Sequence, residues 1–224
     1  MQDLMISQTR KDNENVAEMT IRLKGDGASA RESNFKSRKQ QISFGAPGDN
    51  RMRFAPFLSN PIFRNFPKGI TEEEAKEIII KNDFFDKNRN QKGNGFSNRF
   101  EIFQFNDDKV IFDHTSHLTW QQHGSLEAMS FEQALCWIDE LNKIGYADFA
   151  DWRLPTLEEA MSLIKKQKNS GNLFKDQIFG QKQNGIWTSD LTENKTMAWV
   201  VFFNYGSCYM NCFDLNNYVQ PVRS

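Results

Sequence analysis

The chain has 224 residues, and its 28 Lys and Arg against 29 Asp and Glu give a formal charge of −1. This balance argues against a dedicated nucleic-acid binder, which normally carries a basic stripe and a high pI, and against an acidic solvating tail. Twenty Phe and five Trp argue against a disordered chain, and three cysteines are too few for a disulfide framework.

Residues 1–67 are expected to form a flexible or extended arm. The first part is polar and rich in small residues, so it predicts at most a short strand around Met19–Leu23; a docking arm for a partner is the alternative. In the Phe-rich stretch 53–66, Pro56 and Pro61 exclude a regular helix, and its Phe side chains suit an extended segment anchored on a domain surface.

Two features of the sequence argue against a membrane protein. No apolar run reaches the roughly 18 residues of a transmembrane helix, so no membrane insertion is expected. The first residues lack the continuous apolar segment of a secretory signal, which predicts a cytoplasmic protein unless another route carries it to the surface.

Three helices are predicted, each from a residue that can cap its N-terminus. Thr71 and Thr156 are each followed three residues later by Glu, the spacing of a capping box. The helices are expected to run from Thr71 to about Asn82, from Ser130 to Gly145, and onward from Thr156.

The strands follow a different pattern. Residues 100–113 alternate around the turn Asn106–Asp108, which predicts a β-hairpin. The segments that begin at Ile186 and Met197 predict further short strands. Helix, hairpin, two helices and then antiparallel strands form an α+β order, not alternating βαβ units.

Two candidate metal sites fail on ligand chemistry. The stretch from Asp86 begins like a calcium loop, but Gln91 stands where an EF-hand needs Gly and Ser97 where it needs Glu. The three histidines lie within residues 114–123 with no cysteine nearby, which is a weak zinc ligand set. We therefore predict neither a metal site nor a cofactor.

The tail from Val201 to Val219 is the most informative segment. Asp214 is its only charged residue, and Asn, Tyr, Ser, Cys, Phe and Gly dominate the rest. Tyr with small polar residues is typical of adaptable recognition surfaces, although an irregular surface strand without a special function is an alternative. Cys208 and Cys212 lack neighbouring cations, which favours two small buried thiols over a redox pair.

Several motifs then carry a family resemblance. VIFDHTSHLTWQQ, SFEQALCWIDELN, DWRLPTLEEAMSLI, AWVVFF and YVQPVRS resemble the Lcl C-terminal-like domain, in order, from about Val110 to Ser224. Two departures are His117, where Gly is usual, and Gln220, where Arg is usual. The resemblance extends back to about Thr71 and leaves residues 1–67 unassigned.

The resemblance implies a C-type-lectin-like fold over residues 68–224, with two helices packed on antiparallel strands. It implies that VIF near Phe112 pairs with YVQPV near Val219, and that Asp151 and Arg153 hold the turn before the third helix. The tryptophans that it assigns to the scaffold are Trp120, Trp152, Trp187 and Trp199.

The same fold carries the variable proteins of diversity-generating retroelements, whose rewritten tails lie between an AWVV-like strand and a closing YVRPVRS. The corresponding frame here spans about residues 198–224. Apart from Met210, the tail residues are ones that an AAC codon can reach when its first two bases change. A diversified region is therefore one implication of the resemblance.

We predict a non-enzymatic protein that presents this tail to another protein and does not bind nucleic acid. A fixed-specificity adhesin or sugar binder is the alternative, although the calcium-dependent lectin motifs are incomplete. A formylglycine-generating-type oxidase that uses Cys208 and Cys212 is a further alternative, but the other motifs of that family are absent. The predicted ligand contacts are Tyr205, Ser207, Tyr209, Asn211, Phe213, Asp214, Asn216 and Asn217.

Overall fold

The computed structural model describes residues 63–224 and three earlier strands. The chain divides into two compact units, Met1–Ala55 and Pro56–Ser224. In the first unit, β1 (Met5–Thr9), β2 (Val16–Arg22) and β3 (Phe35–Arg38) form an antiparallel sheet in chain order. The strand predicted around Met19–Leu23 overlaps β2, whereas most of the Phe-rich stretch 53–66 lies outside the described residues.

From residue 63 onward, where the structure describes it, the second unit combines three α-helices with two four-stranded sheets, which confirms the mixed α and β composition. The sheet orders are β10-β9-β8-β4 and β11-β7-β6-β5; only β4 and β8 pair in parallel among the described strands. The elements are β4 (Gly69–Ile70), α1 (Glu72–Lys81), β5 (Phe100–Phe105), β6 (Asp108–Asp113), β7 (Thr119–Gln121), α2 (Phe131–Ile144), a 3-10 turn (Tyr146–Asp148), α3 (Leu157–Met161), β8 (Gly185–Thr192), β9 (Met197–Phe202), β10 (Ser207–Cys212) and β11 (Val222–Arg223).

The helix starts follow from local chemistry. At α1 the Thr71 hydroxyl accepts from the Glu74 N–H at 3.1 Å, and the Glu74 carboxylate accepts from the Thr71 N–H at 2.9 Å. The same reciprocal box opens α2 and α3, so all three predicted caps are confirmed. The helix α2 ends at Gly145, whose φ of 67° is the left-handed conformation that glycine favours.

The third helix is shorter than its apolar pattern predicts. It ends at Met161 with Ser162 as its C-cap, and the two residues after Ser162 bond to carbonyls only three positions back, Leu163 N to Ala160 O at 3.2 Å and Ile164 N to Met161 O at 3.0 Å. Both side chains are still buried. The pattern therefore identified the core residues correctly but not the point at which the helix gives way to a turn.

The core lies between the two sheets and the helices. Its largest cluster combines Ile111 and Trp120 from one sheet with Trp199 and Val201 from the other. The four tryptophans assigned to the scaffold are at most 2 % exposed, which confirms their packing role. In the sheet that contains Trp199 and Val201, β10 is the edge strand beside β9.

The predicted pairing of the VIF strand with the C-terminal strand is wrong. The chain turns after Asp113 and returns as β7, which lies between β6 and β11; Val222 then faces Trp120. His117 adopts a φ of 60° in this turn, so it takes the left-handed conformation even though it is not glycine. Asp113 holds the turn by accepting from the Ser116 hydroxyl at 2.7 Å and the Thr115 N–H at 3.0 Å.

The DWRLPT segment ties α3 to the end of the chain. Arg153 donates to both carboxylate oxygens of the buried Glu159 at 2.7 Å, which supports its predicted role at the start of α3. Asp151 instead accepts from Arg223 at 2.6 and 3.0 Å, so its partner is the C-terminal strand and not that turn. Gln220, the second departure from the family pattern, is buried and donates its amide to the Gln121 carbonyl.

Candidate functional site

The predicted recognition tail forms an edge strand. Strand β10 is the terminal strand of its sheet and pairs antiparallel with β9, from Ser207 opposite Phe202 to Cys212 opposite Met197. Ser207 is fully buried, whereas Tyr209 is 38 % exposed. Burial therefore changes along the strand and does not simply alternate between its two faces.

The loop 86–90 fixes the buried start of β10. The Asp86 carboxylate accepts from the Ser207 hydroxyl at 2.8 and 2.9 Å and from the Cys208 N–H at 3.2 Å. It also accepts from the Asn88 and Arg89 N–H groups of its own loop, both at 2.8 Å. Because Asp86 is fully buried, this one carboxylate joins the loop to the tail.

Arg89 adds a second connection between the loop and the tail. Its guanidinium donates to the Cys208 carbonyl at 2.8 Å and to the Glu72 carboxylate at 2.8 Å. It also lies 5.8 Å from the Trp199 ring and 6.0 Å from the Tyr209 ring. The conformation of the start of β10 is thus set by residues more than a hundred positions earlier.

Three aromatic rings form the exposed end of the β9–β10 hairpin. Tyr205 and Tyr209 lie 5.6 and 5.9 Å from Phe202 and 6.3 Å from each other, between ring centroids. The Asn88 amide donates to the Tyr209 hydroxyl at 2.6 Å. Tyr205 is 56 % exposed. The hairpin therefore presents two tyrosines, of which Tyr209 is held by a hydrogen bond and Tyr205 is largely exposed to solvent.

The second half of the tail packs against the start of α2. Phe213 is half-buried and stacks on Phe131 at 5.2 Å, and its carbonyl accepts from the Phe131 N–H at 2.9 Å. Asn217 is buried and exchanges two backbone hydrogen bonds with Met129, at 2.9 and 3.0 Å. Its side-chain oxygen accepts from Asn211 at 3.4 Å.

The structure therefore divides the predicted contact residues. Ser207 and Asn217 are buried and hold the backbone, and Phe213 packs on a helix. The remaining residues are exposed or half-exposed on the tail: Tyr205, Tyr209, Asn211, Asp214 and Asn216.

Sequence reasoning missed four residues of this surface. Met210, Cys212 and Leu215 are exposed within the tail itself, and Asn88 reaches it from the loop. The Asp86-x-Asn88 pattern did carry a signal, since such oxygens commonly hold tight turns. Its role in the tail requires a contact across 121 positions, which no local pattern reveals.

The prediction of two buried cysteine thiols is half wrong. Cys208 is buried, and desolvation raises the pKa of its thiol well above the ordinary value, although the Arg89 charge opposes this. Cys212 is exposed because β10 leaves the core after its first two residues. The two thiols therefore lie in unlike environments.

The described region was also compared with what a metal site and a membrane span require. His114 pairs with Glu101 at 2.7 Å, and no group of three or more His, Cys, Asp or Glu in residues 63–224 is arranged to hold a metal ion. No helix within the described part of the chain is long and apolar enough to cross a bilayer.

The comparisons with known proteins identify the family of the chain. The family model of the Lcl C-terminal domain matches residues 109–223, from β6 to β11. No curated protein and no solved structure matches the chain. The match includes β10 and α2, but the loop that anchors β10 lies before it.

Proposed function

The chain belongs to the Lcl C-terminal domain family, and on that premise we propose that it is a non-enzymatic binding protein that presents the β10 surface to another protein. The observation that carries the proposal is the contrast within the tail. An exposed set of Tyr and Asn side chains stands on a backbone that a buried carboxylate holds in place.

This arrangement suits recognition for an energetic reason. Tyr offers a large contact area at a low cost in side-chain entropy, and Asn adds adaptable hydrogen bonds. A strand fixed by Asp86 and Arg89 needs little further ordering when a ligand binds, so more of the contact energy appears as affinity. The mixture of exposed aromatic and polar groups favours a protein ligand.

We further propose that the domain has a C-type-lectin-like fold and that a retroelement diversifies its tail. Exposed positions such as 205, 209 and 214 can change without opening the core, whereas Ser207 and Asn217 would be poor positions to vary because they are buried. A near-copy of the 3′ end of the gene, differing only at adenines and beside a reverse transcriptase, would establish the claim. Its absence downstream of the gene would refute it.

A library experiment tests display directly. Positions 205, 209, 211, 214 and 216 are randomised together, and the folded variants are selected against a panel of unrelated proteins. The matched control randomises five exposed positions of α2, namely 132, 135, 136, 139 and 143. We expect specific binders from the tail library at a much higher frequency than from the control.

Two results would contradict the proposal. Equal yields from both libraries would show that the tail has no special capacity for binding. General unfolding of the tail library would show that these positions belong to the core, which their exposure argues against.

The alternatives have their own tests. A glycan array with the unmodified chain tests the fixed-specificity sugar binder. For the oxidase, the buried Cys208 is a poor nucleophile because burial raises the pKa of its thiol. Thiol-dependent oxidase activity that is lost when Cys208 and Cys212 are changed to Ser would revive that alternative.

A further inference from the structure

Charge is unevenly distributed over the described domain. The segments 81–99 and 161–176 together contain nine Lys and Arg against three Asp and Glu. The rest of residues 63–224 contains nine Lys and Arg against 19 Asp and Glu. The near-neutral total therefore conceals one basic region on an otherwise acidic domain.

The fold brings the two basic segments together. The Lys165 ammonium donates to the Asn98 side chain at 2.6 Å and to the Phe96 carbonyl at 3.3 Å, and Lys166 reaches the Lys92 carbonyl at 3.5 Å. Segments separated by about seventy positions thus form one surface. Four of its exposed lysines, Lys87, Lys92, Lys166 and Lys168, are called the lysine patch.

The lysine patch borders the tip of the β9–β10 hairpin. The Lys87 N–H donates to the Gly206 carbonyl at 2.9 Å. On the other side, the Phe174 ring packs against Gly206, and the Lys168 ammonium lies 5.3 Å from the centre of that ring. Lysines therefore flank the residue that follows the exposed Tyr205.

No carboxylate of the described residues lies within ion-pair distance of these four ammonium groups. Other exposed lysines of the domain do have such partners: Lys143 pairs with Glu140 at 2.6 Å and Lys182 with Glu127 at 3.1 Å. Several unpaired like charges on one surface attract an acidic partner and steer its approach.

We propose that the lysine patch and Tyr205 together form a docking surface for an acidic segment of a partner protein. The inference rests on the proposed function and names the chemistry of the ligand that the tail meets. Carboxylates of the partner would lie over the lysines while an apolar or aromatic side chain contacts Tyr205. The patch thereby orients the partner before the tail residues make specific contacts.

A nucleic acid fits this surface less well. Extended polyanions need a basic track, and DNA-binding domains usually have a pI above about 9, whereas this chain has a pI of about 6.3. The acidic remainder of the domain would repel a long polyanion beyond the patch. A short acidic protein segment meets the patch without this penalty.

The test uses the full chain and a labelled 20-residue peptide with ten Glu interspersed among Gly and Ser, measured by fluorescence anisotropy. A variant with Lys87, Lys92, Lys166 and Lys168 all changed to Gln is compared with the unmodified chain. The matched control changes four exposed lysines elsewhere to Gln: Lys109, Lys143, Lys182 and Lys195. The comparison probes are an uncharged peptide of equal length and single-stranded DNA with ten phosphates.

We expect the patch variant to bind the acidic peptide at least tenfold more weakly, while the control variant changes affinity less than twofold. A second acidic peptide carries a single Trp. Tyr205→Ala should weaken the binding of this peptide to a greater extent than the binding of the peptide that has no Trp. Affinity should also fall as salt rises, since exposed charges are screened beyond about 8–10 Å at physiological ionic strength.

Three outcomes would overturn the inference: no binding of the acidic peptide, equal losses in the patch and control variants, or tighter binding of DNA than of the peptide. The last outcome would reassign the patch to nucleic acid. Each is distinguishable from failure of the proposed function, because binders from the tail library would still appear if display is correct and the lysine patch is irrelevant.

Discussion

Replacing Asp86 by Asn should loosen the attachment of β10 while leaving the shape of the side chain nearly unchanged. The carboxylate accepts four neighbouring groups, among them the Ser207 hydroxyl at 2.8 Å and the Cys208 N–H at 3.2 Å. An amide has only one acceptor oxygen, so its NH₂ group would face one of these donors. The remaining bonds would also lose the strengthening that a charged acceptor provides.

The cost follows from these contacts. One buried donor left without a partner costs about 1–3 kcal/mol, and hydrogen bonds to a neutral acceptor are weaker than those to a charged one. The sum is about 3 kcal/mol of unfolding free energy. For a protein of this size, 1 kcal/mol shifts the melting temperature by about 2–4 °C, so Asp86→Asn should melt about 6–12 °C lower.

The assay is thermal melting followed by circular dichroism, with urea unfolding to obtain the free energy. Asp83→Asn is the matched control, because Asp83 lies close by in sequence but is exposed; its melting temperature should change by no more than about 2 °C. A double-mutant cycle with Ser207→Ala should give a coupling energy of at least about 0.5 kcal/mol. If Asp86→Asn melts like the unmodified chain, Asp86 does not hold the tail.

Three further predictions concern other buried features. Desolvation lowers the pKa of Lys175 to about 7. Between about pH 7 and the ordinary lysine pKa, only the unfolded chain keeps this proton, so the free energy of unfolding should rise with pH over that window. Lys175→Met should flatten this rise, as measured by thermal melting at several pH values. Gly206→Ala should lower the free energy of unfolding in urea by at least about 2 kcal/mol more than Gly145→Ala. Both glycines have the left-handed conformation, but only at position 206 would the added methyl group press against the Phe174 ring. Equal losses would contradict this contact. A thiol reagent should modify the two exposed cysteines of the native chain quickly and Cys208 only after unfolding; rapid reaction of all three would contradict its burial.

Local patterns anticipated much of the fold because they describe short-range chemistry. Thr71 and Thr156 each cap a helix through a residue three positions away, and Gly145 ends a helix through its own backbone freedom. The hairpin around Asn106 likewise depends on adjacent residues. Such features need no knowledge of the rest of the molecule.

The pairing of strands was not accessible in the same way. The sequence motifs placed the strands before Asp113 and after Val219 correctly but did not show that β7 lies between them. Strand partners are chosen by the packing of the whole sheet, and here the turn at His117 directs the returning strand into that position. The prediction lacked β7 itself, so it made direct neighbours of two strands that β7 separates.

The site shows the same division. By itself the sequence determined that the tail is nearly uncharged and rich in Tyr and Asn, because composition is a local property. Only the tertiary structure decided which tail residues are exposed, because the buried Ser207 hydrogen-bonds to a carboxylate 121 positions away. The lysine patch likewise exists only after folding, when two segments about seventy positions apart meet beside Tyr205. Burial and electrostatic fields depend on distance in space, which the order of residues along the chain does not specify.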